Sequence, residues 1–184
     1  MNKKQYTIVA ITLLLISLVW IIVTPILFNS AQAESDICAP QLGFIAPNFK
    51  LSTPQDETIT LSDYRGKTVL IFLWASWCSV CKGIMPDLQA VYQSYSSDAF
   101  EILAVNTTYQ DTQSNAQDYF QSQGYTYPML LDNDGAVSRL YQLHGLPTSI
   151  LVGPEGTIRD RVIGSSMSEG YLRAFLNDLL TKME

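Results

Sequence analysis

From residue 42 onward, short apolar runs alternate with stretches in which apolar residues recur at helical spacing. Phe49-Lys-Leu51 and Thr58-Ile-Thr-Leu61 predict two short strands around a polar turn at Ser52 to Glu57. Thr68-Val-Leu-Ile-Phe-Leu73 is continuously apolar and partly β-branched, the pattern of a strand buried on both faces. A helix is predicted from Cys78 or Ser79 to Ser96, kinked by Pro86 unless that residue sits in its first turns. Phe100-Glu-Ile-Leu-Ala-Val105 reads as a second buried strand. A polar helix follows from about Thr112 to Gln123 and stops at Gly124. Met129-Leu-Leu131 is a brief strand, and Ala136 to Leu143 is expected to be helical. Ser149-Ile-Leu-Val152 and Thr157 to Ile163 flank Gly153-Pro-Glu-Gly156, a hairpin turn. The last helix, about Ser168 to Lys182, carries Leu172, Phe175, Leu176, Leu179 and Leu180 on one face. This order predicts an α/β sandwich built on a central mixed sheet flanked by helices.

The N-terminal stretch has a different pattern. Lys3 and Lys4 precede an uncharged run from Tyr6 to Phe28, and Ile11 to Val23 within it is almost wholly apolar. As a helix, roughly 23 residues span about 34 Å, enough to cross a hydrocarbon core of about 30 Å. That length points to an uncleaved anchor, although Ala31-Gln32-Ala33 offers the small residues of a signal cleavage site. The lysines before the run, with Glu34 and Asp36 after it, put the N-terminus inside and the domain outside. The expected organisation is an anchor or signal over 1–28, a polar tether over 29–41 and one globular domain over 42–184. The domain then works in a periplasmic or external compartment, where disulfides persist.

The chain has 184 residues, 47% apolar, with a net charge of −6. That balance gives no basic footprint for nucleic acid, and this class of partner is set aside. Three cysteines remain to be explained. Two of them, Cys78 and Cys81, form a Cys-x-x-Cys where the buried strand gives way to a helix. A helix N-terminus stabilises a thiolate, the species that attacks disulfides. A static structural disulfide is the bland alternative. A zinc centre built from Cys38, Cys78, Cys81 and the single histidine, His144, is another. Cys38 lies in the tether, which argues against a closed metal site, and a lone histidine beside a loop reads more simply as a solvated one. The odd Cys38 is expected to be free or paired with another chain. Lys82 reads as a solvated helix residue.

The Trp-Cys-x-x-Cys-Lys after a buried strand and the Leu146-Pro147-Thr148 before a later hairpin together resemble the thioredoxin superfamily. Ile45-Ala-Pro-Asn-Phe-Lys-Leu51, followed by Leu61-Ser-Asp-Tyr-Arg-Gly-Lys67, narrows the likeness to the membrane-tethered TlpA/ResA/DsbE-like thiol-disulfide oxidoreductases. It covers about residues 42–182. The resemblance implies a thioredoxin-like fold with an N-terminal β-hairpin extension. It implies a redox-active disulfide in which Cys78 is the exposed nucleophile and Cys81 the buried resolving thiol. Pro147 would be a cis-proline facing that disulfide, with the backbone of Leu146 pairing to an incoming peptide. Trp74, Trp77 and Thr148 would complete the substrate-facing border. The implied substrates are exported protein disulfides, with apocytochrome c or copper-site proteins as candidates. Electrons would come from a membrane partner, because no flavin or nicotinamide fingerprint is present and no cofactor or metal is expected.

Two positions depart from the family. Phe72 stands where thioredoxins bury an acid in the strand, and Ile84 stands where many ResA-like relatives carry a glutamate. The pair between the cysteines is Ser79-Val80, without the common proline. Three other functions fit the residues less well. A dithiol oxidase is the same chemistry reversed. A peroxidase shares Ala46-Pro-Asn-Phe but needs Thr or Ser three residues before its reactive cysteine, where this chain has Ala75. A copper- or zinc-delivery module lacks the usual Cys-x-x-x-Cys spacing and paired histidine.

Overall fold

The computed structural model describes residues 40–95 and 99–181, with residues 2, 5, 13, 14, 16, 17 and 20 of the N-terminal stretch. The chain divides into two compact units, Met1–Ile37 and Cys38–Glu184. In the first unit the described residues from 5 to 20 are helical, and Leu13, Leu14, Ile16 and Trp20 are exposed. Among the described residues no helix is long and apolar enough to cross a membrane. Most of the expected anchor and tether, Cys38 included, lies outside the described residues.

The second unit is ordered by one long buried strand. β1 (Lys50–Ser52) and β2 (Thr58–Thr60) form a hairpin, followed by a 3-10 turn over Leu61–Tyr64. β3 (Thr68–Trp74) leads into α1 (Ser79–Ser94), and β4 (Phe100–Asn106) into α2 (Gln113–Ser122). Then come β5 (Met129–Leu131), α3 (Ala136–Leu140), β6 (Thr148–Val152), β7 (Ile158–Ile163) and α4 (Glu169–Thr181). The sheet order is β2-β1-β5-β4-β3-β6-β7, open at both edges. β3 and β5 run parallel to β4, whereas β6, β7 and the N-terminal hairpin are antiparallel to their neighbours. This is the mixed sheet and hairpin extension that the sequence predicts.

Why β3 reads as an unbroken apolar run is visible in its packing. Leu70, Phe72 and Trp74 point to one face, with Met85, Leu88, Phe120, Leu172 and Leu176 from α1, α2 and α4. Val69, Ile71 and Leu73 point to the other, against Val137, Tyr141, Phe49 and Leu61. All seven residues of β3 are buried because both faces are covered.

Two local expectations change in detail. Pro86 sits in the interior of α1 and not in its first turns, and the helix continues beyond it to Ser94 although the Lys82 carbonyl loses its helical donor. The helix expected to reach Leu143 stops at Leu140, since Gln142 turns to φ 48 and Leu143 N–H bonds back to Ser138 O. The predicted 153–156 turn forms, and Gly156 takes φ 88 there with the Arg65 guanidinium lying against it, so a side chain at that position would be strained and would displace the arginine.

The segment before β1 is fastened to the loop beyond α3. Tyr141 Oη donates to Pro47 O at 2.6 Å, and its ring meets Phe49 edge-on at 6.0 Å. Arg161 donates to the carbonyls of Pro40, Tyr141 and Gln142. Tyr141→Phe strips the buried Pro47 carbonyl of its donor, so a loss of about 1–2 kcal/mol is expected. Urea unfolding should show it as a lower midpoint with an unchanged slope.

Candidate active site

β3 ends at Trp74, and four residues later the chain enters α1 through Cys78, which is the helix N-cap. Cys78 and Cys81 are joined as a disulfide with their Cα atoms 5.3 Å apart. The Cys78 sulfur accepts the Cys81 N–H at 3.1 Å, and the Cys78 carbonyl accepts the Lys82 N–H at 3.1 Å. The sulfur of Cys78 thus occupies the place of a capping oxygen, where the unpaired N–H groups and the dipole of α1 converge. The expected contrast between the two cysteines is narrower than the sequence suggests. Cys78 is 6% exposed and Cys81 0%, so both members of the disulfide are buried.

The loop from β3 to α1 is held by a group that sequence reasoning missed. Asp111 accepts the Ser76 N–H at 2.6 Å, the Ser76 hydroxyl at 2.7 Å and Asn106 Nδ2 at 2.9 Å. Its other bond comes from the Thr112 N–H at 2.9 Å. Burial opposes the Asp111 charge, but the bonds from Asn106 and Ser76 outweigh it and hold the carboxyl below its ordinary range. One residue away, Gln110 O accepts Trp77 Nε1 at 3.0 Å. Thr107 donates both its N–H and its hydroxyl to Trp74 O. The one available hint was a polar Asn106 at the end of an apolar strand, buried beside Trp74 in the β3–β4 pairing.

Opposite this loop lies the start of β6. The Leu146–Pro147 peptide bond is cis. Thr148 pairs with Leu73 and Ser149 with Phe72, so Pro147 enters at the level of Trp74, where the disulfide loop begins. Pro147 O accepts the Gly164 N–H at 2.8 Å, and Thr148 Oγ1 donates to Gly145 O at 2.7 Å. The structure therefore gathers the predicted residues at one end of the sheet but gives them different exposures. Trp77 is 59% exposed, Leu146 is half-buried, and Trp74, Pro147 and Thr148 are buried. Trp74 lies under the site and not at its border, packed on Tyr119 and Phe120. His144 is exposed on the loop before Pro147, and the two disulfide-bonded sulfurs are not free to ligate a metal. Among the described residues no group of three or more His, Cys, Asp or Glu is placed to hold one.

Phe72 and Ile84 are buried in the same apolar cluster as Cys81. Lys82 is not simply solvated: its ammonium lies 4.6 Å from the centre of the Tyr119 ring. The sheet does bury one acid, Glu101, at the wrong end for Cys81. Glu101 pairs with Val69 and Asn106 with Trp74, five residues or about 16 Å along the strand. Burial pushes the Glu101 carboxyl up, against the bonds from the Ile102 N–H and the Tyr92 hydroxyl. A raised folded-state pKa means that Glu101 favours the fold while protonated, at acid pH, and that this contribution is lost as pH rises through it. Glu101→Gln should therefore gain stability over the wild type as pH rises above the ordinary glutamate value of about 4.3, read as a growing difference in thermal midpoint. Its rate of disulfide exchange should be unchanged.

Comparison with known proteins agrees with this geometry. Residues 42–161 match the AhpC/TSA family. The thiol-disulfide oxidoreductase ResA of Bacillus subtilis is 33% identical over 135 residues, 73% of this chain and 74% of the relative. ResA of Oceanobacillus iheyensis is 31% identical over 182 residues, 97% of this chain and 92% of the relative. Among solved structures, the exposed lipoprotein thioredoxin Etrx1 of Streptococcus pneumoniae superposes with a TM-score of 0.64 at 26% identity, over 72% of this chain and 100% of that one. The fold is thioredoxin-like, and the chemistry its relatives share is the one a disulfide at a helix N-terminus is built for. The chain belongs to the AhpC/TSA family, among its ResA-like thiol-disulfide oxidoreductases.

Proposed function

We propose that this protein reduces disulfides of exported proteins on the outer side of a membrane, with Cys78 as attacking thiol and Cys81 as resolving thiol. The observation that carries the reading is the Cys78–Cys81 disulfide across the first turn of α1, with the Cys78 sulfur on the N–H groups of that turn. In the reduced protein the same N–H groups favour a thiolate at Cys78. That thiolate attacks one sulfur of a substrate disulfide, forms a mixed disulfide and releases the first substrate thiolate. Cys81, as thiolate, then attacks the Cys78 sulfur, closes the Cys78–Cys81 bond and releases the second. Two electrons and two protons pass to the substrate in all. A membrane dithiol donor returns the electrons, and the lysine-flanked apolar run before Val23 holds the domain near it. Similarity to a protein described as an exposed lipoprotein supports the same compartment. Apocytochrome c and copper-site proteins are the candidate substrates, as polypeptides whose cysteines must be dithiols before metal or haem is attached.

Trp77 and the half-buried Leu146 supply the surface that an incoming chain meets first. Ala75, fully buried three residues before Cys78, brings no hydroxyl to the sulfur, which supports exchange over peroxide reduction. Cys81→Ser should accumulate mixed disulfides between Cys78 and exported proteins, seen as adducts that dithiothreitol dissolves, while Cys78→Ser should accumulate none. An absence of adducts in the first variant would remove the assignment. The equilibrium of the pair with glutathione decides direction: a potential above about −150 mV would make the protein an oxidase.

A further inference from the structure

The carboxylate of Asp111 has a setting that structural support alone does not require. All four groups that bond it, Ser76 N–H and hydroxyl, Asn106 amide and Thr112 N–H, are neutral, so its charge is fixed in place and not cancelled by a cation. Ser76 is two residues from Cys78, and the Cys78 N–H to Ala75 O bond of 3.1 Å folds the chain between them into a turn. Two Cα steps reach at most about 7 Å, and with the Ser76 hydrogen bond and the Cys78 side chain added the carboxylate lies within about 14 Å of the Cys78 sulfur. Ser76 and Cys78 are buried and Asp111 is half-buried, so the carboxylate is screened less than the bulk length of about 8 Å would impose on exposed charges.

We infer that Asp111 is a positioning residue whose fixed negative charge opposes the Cys78 thiolate, tuning the pair toward donating electrons while it holds the loop. This rests on the reading of Cys78 as the attacking thiol. The α1 N-terminus stabilises the thiolate and hence the reduced protein, which by itself makes a pair oxidising. A nearby carboxylate partly offsets that, destabilises the reduced form and makes the pair a better reductant. Among the described residues, the neighbouring elements bring other ionisable groups. Lys82 on α1 lies over the Tyr119 ring; Asp118 on α2 and His144 before Pro147 are exposed. The Asp111 variants leave all of them in place.

The test compares Asp111→Asn, which removes the charge and keeps an acceptor for Ser76, with Asp111→Glu, which keeps the charge, in the full-length chain. The pH dependence of iodoacetamide alkylation at Cys78, read by peptide mass, gives the thiol pKa. Asp111→Asn should lower it by up to about half a unit. The same variant should move the glutathione equilibrium up to about threefold toward the reduced protein, and Asp111→Glu should stay near the wild type. Salt at about 1 M, with a screening length of about 3 Å, should narrow the gap between Asn variant and wild type. An unchanged or raised Cys78 pKa in Asp111→Asn, with only a lower thermal midpoint, would make Asp111 a purely structural clamp and overturn the inference. If the Asn variant fails to fold, Asp111→Ser, which also removes the charge, takes its place, and an unchanged or raised Cys78 pKa in that variant overturns the inference. A wild type that exchanges with no dithiol at all would sink the proposed function, while the alkylation profile would still judge Asp111.

Discussion

The pairing of β6 against β3 places everything at the reactive end. Leu73 faces Thr148 and Phe72 faces Ser149, so the strand that delivers Cys78 ends level with the strand that begins at Pro147. Side chains alternate along a strand, and a slip of one residue would send Thr148 and Ser149 to opposite faces and carry Pro147 away from the disulfide loop. The slip is prevented by burial on both sides. Leu151 belongs to the cluster under α1, and Ile150 and Val152 to the opposite one, so no shifted register keeps both layers filled. The chemistry is thus aligned by hydrophobic packing some distance from the sulfurs.

A second constraint crosses the sheet in the other direction. The β3–β4 pairing puts Asn106 beside Trp74, and the turn beyond Asn106 folds back so that Thr107, Gln110 and Asp111 hold Trp74, Trp77 and Ser76. The loop carrying Cys78 is therefore tied to two neighbours at once, through a backbone ladder on one side and side-chain bonds on the other. Loops are ordinarily the mobile parts of a fold. Here the buried Ser76 and its short bonds make this one continuous with the core.

Much of this was legible in the sequence, and the reasons are specific. The run from Thr68 to Leu73 is apolar without interruption because both sheet faces are covered, and Gly153 to Gly156 spells its turn in residues that only a turn requires. The Cys-x-x-Cys at a strand–helix junction announces itself by local spacing. What stayed hidden depends on distance along the chain. Asp111 acts on Ser76, 35 residues away, largely by accepting a backbone N–H, and no residue pattern records that. The end of α3 was hidden for another reason: Gln142 adopts a positive φ that its residue type does not advertise. Lys82 resembled any solvated lysine until Tyr119 arrived beneath it from another helix.

The indole of Trp77 is exposed over more than half its surface, yet its Nε1–H is bonded to Gln110 O. A large apolar ring on a surface ordinarily samples several rotamers, and a partner must freeze it, at about 0.5–1.5 kcal/mol per side chain. This ring is already restrained by its bond to Gln110 O. A polypeptide that settles beside the disulfide therefore finds a rigid apolar platform whose ordering was completed at folding, so its contact energy is not spent on stilling the enzyme. A surface of that kind discriminates by apolar area and little by side-chain identity.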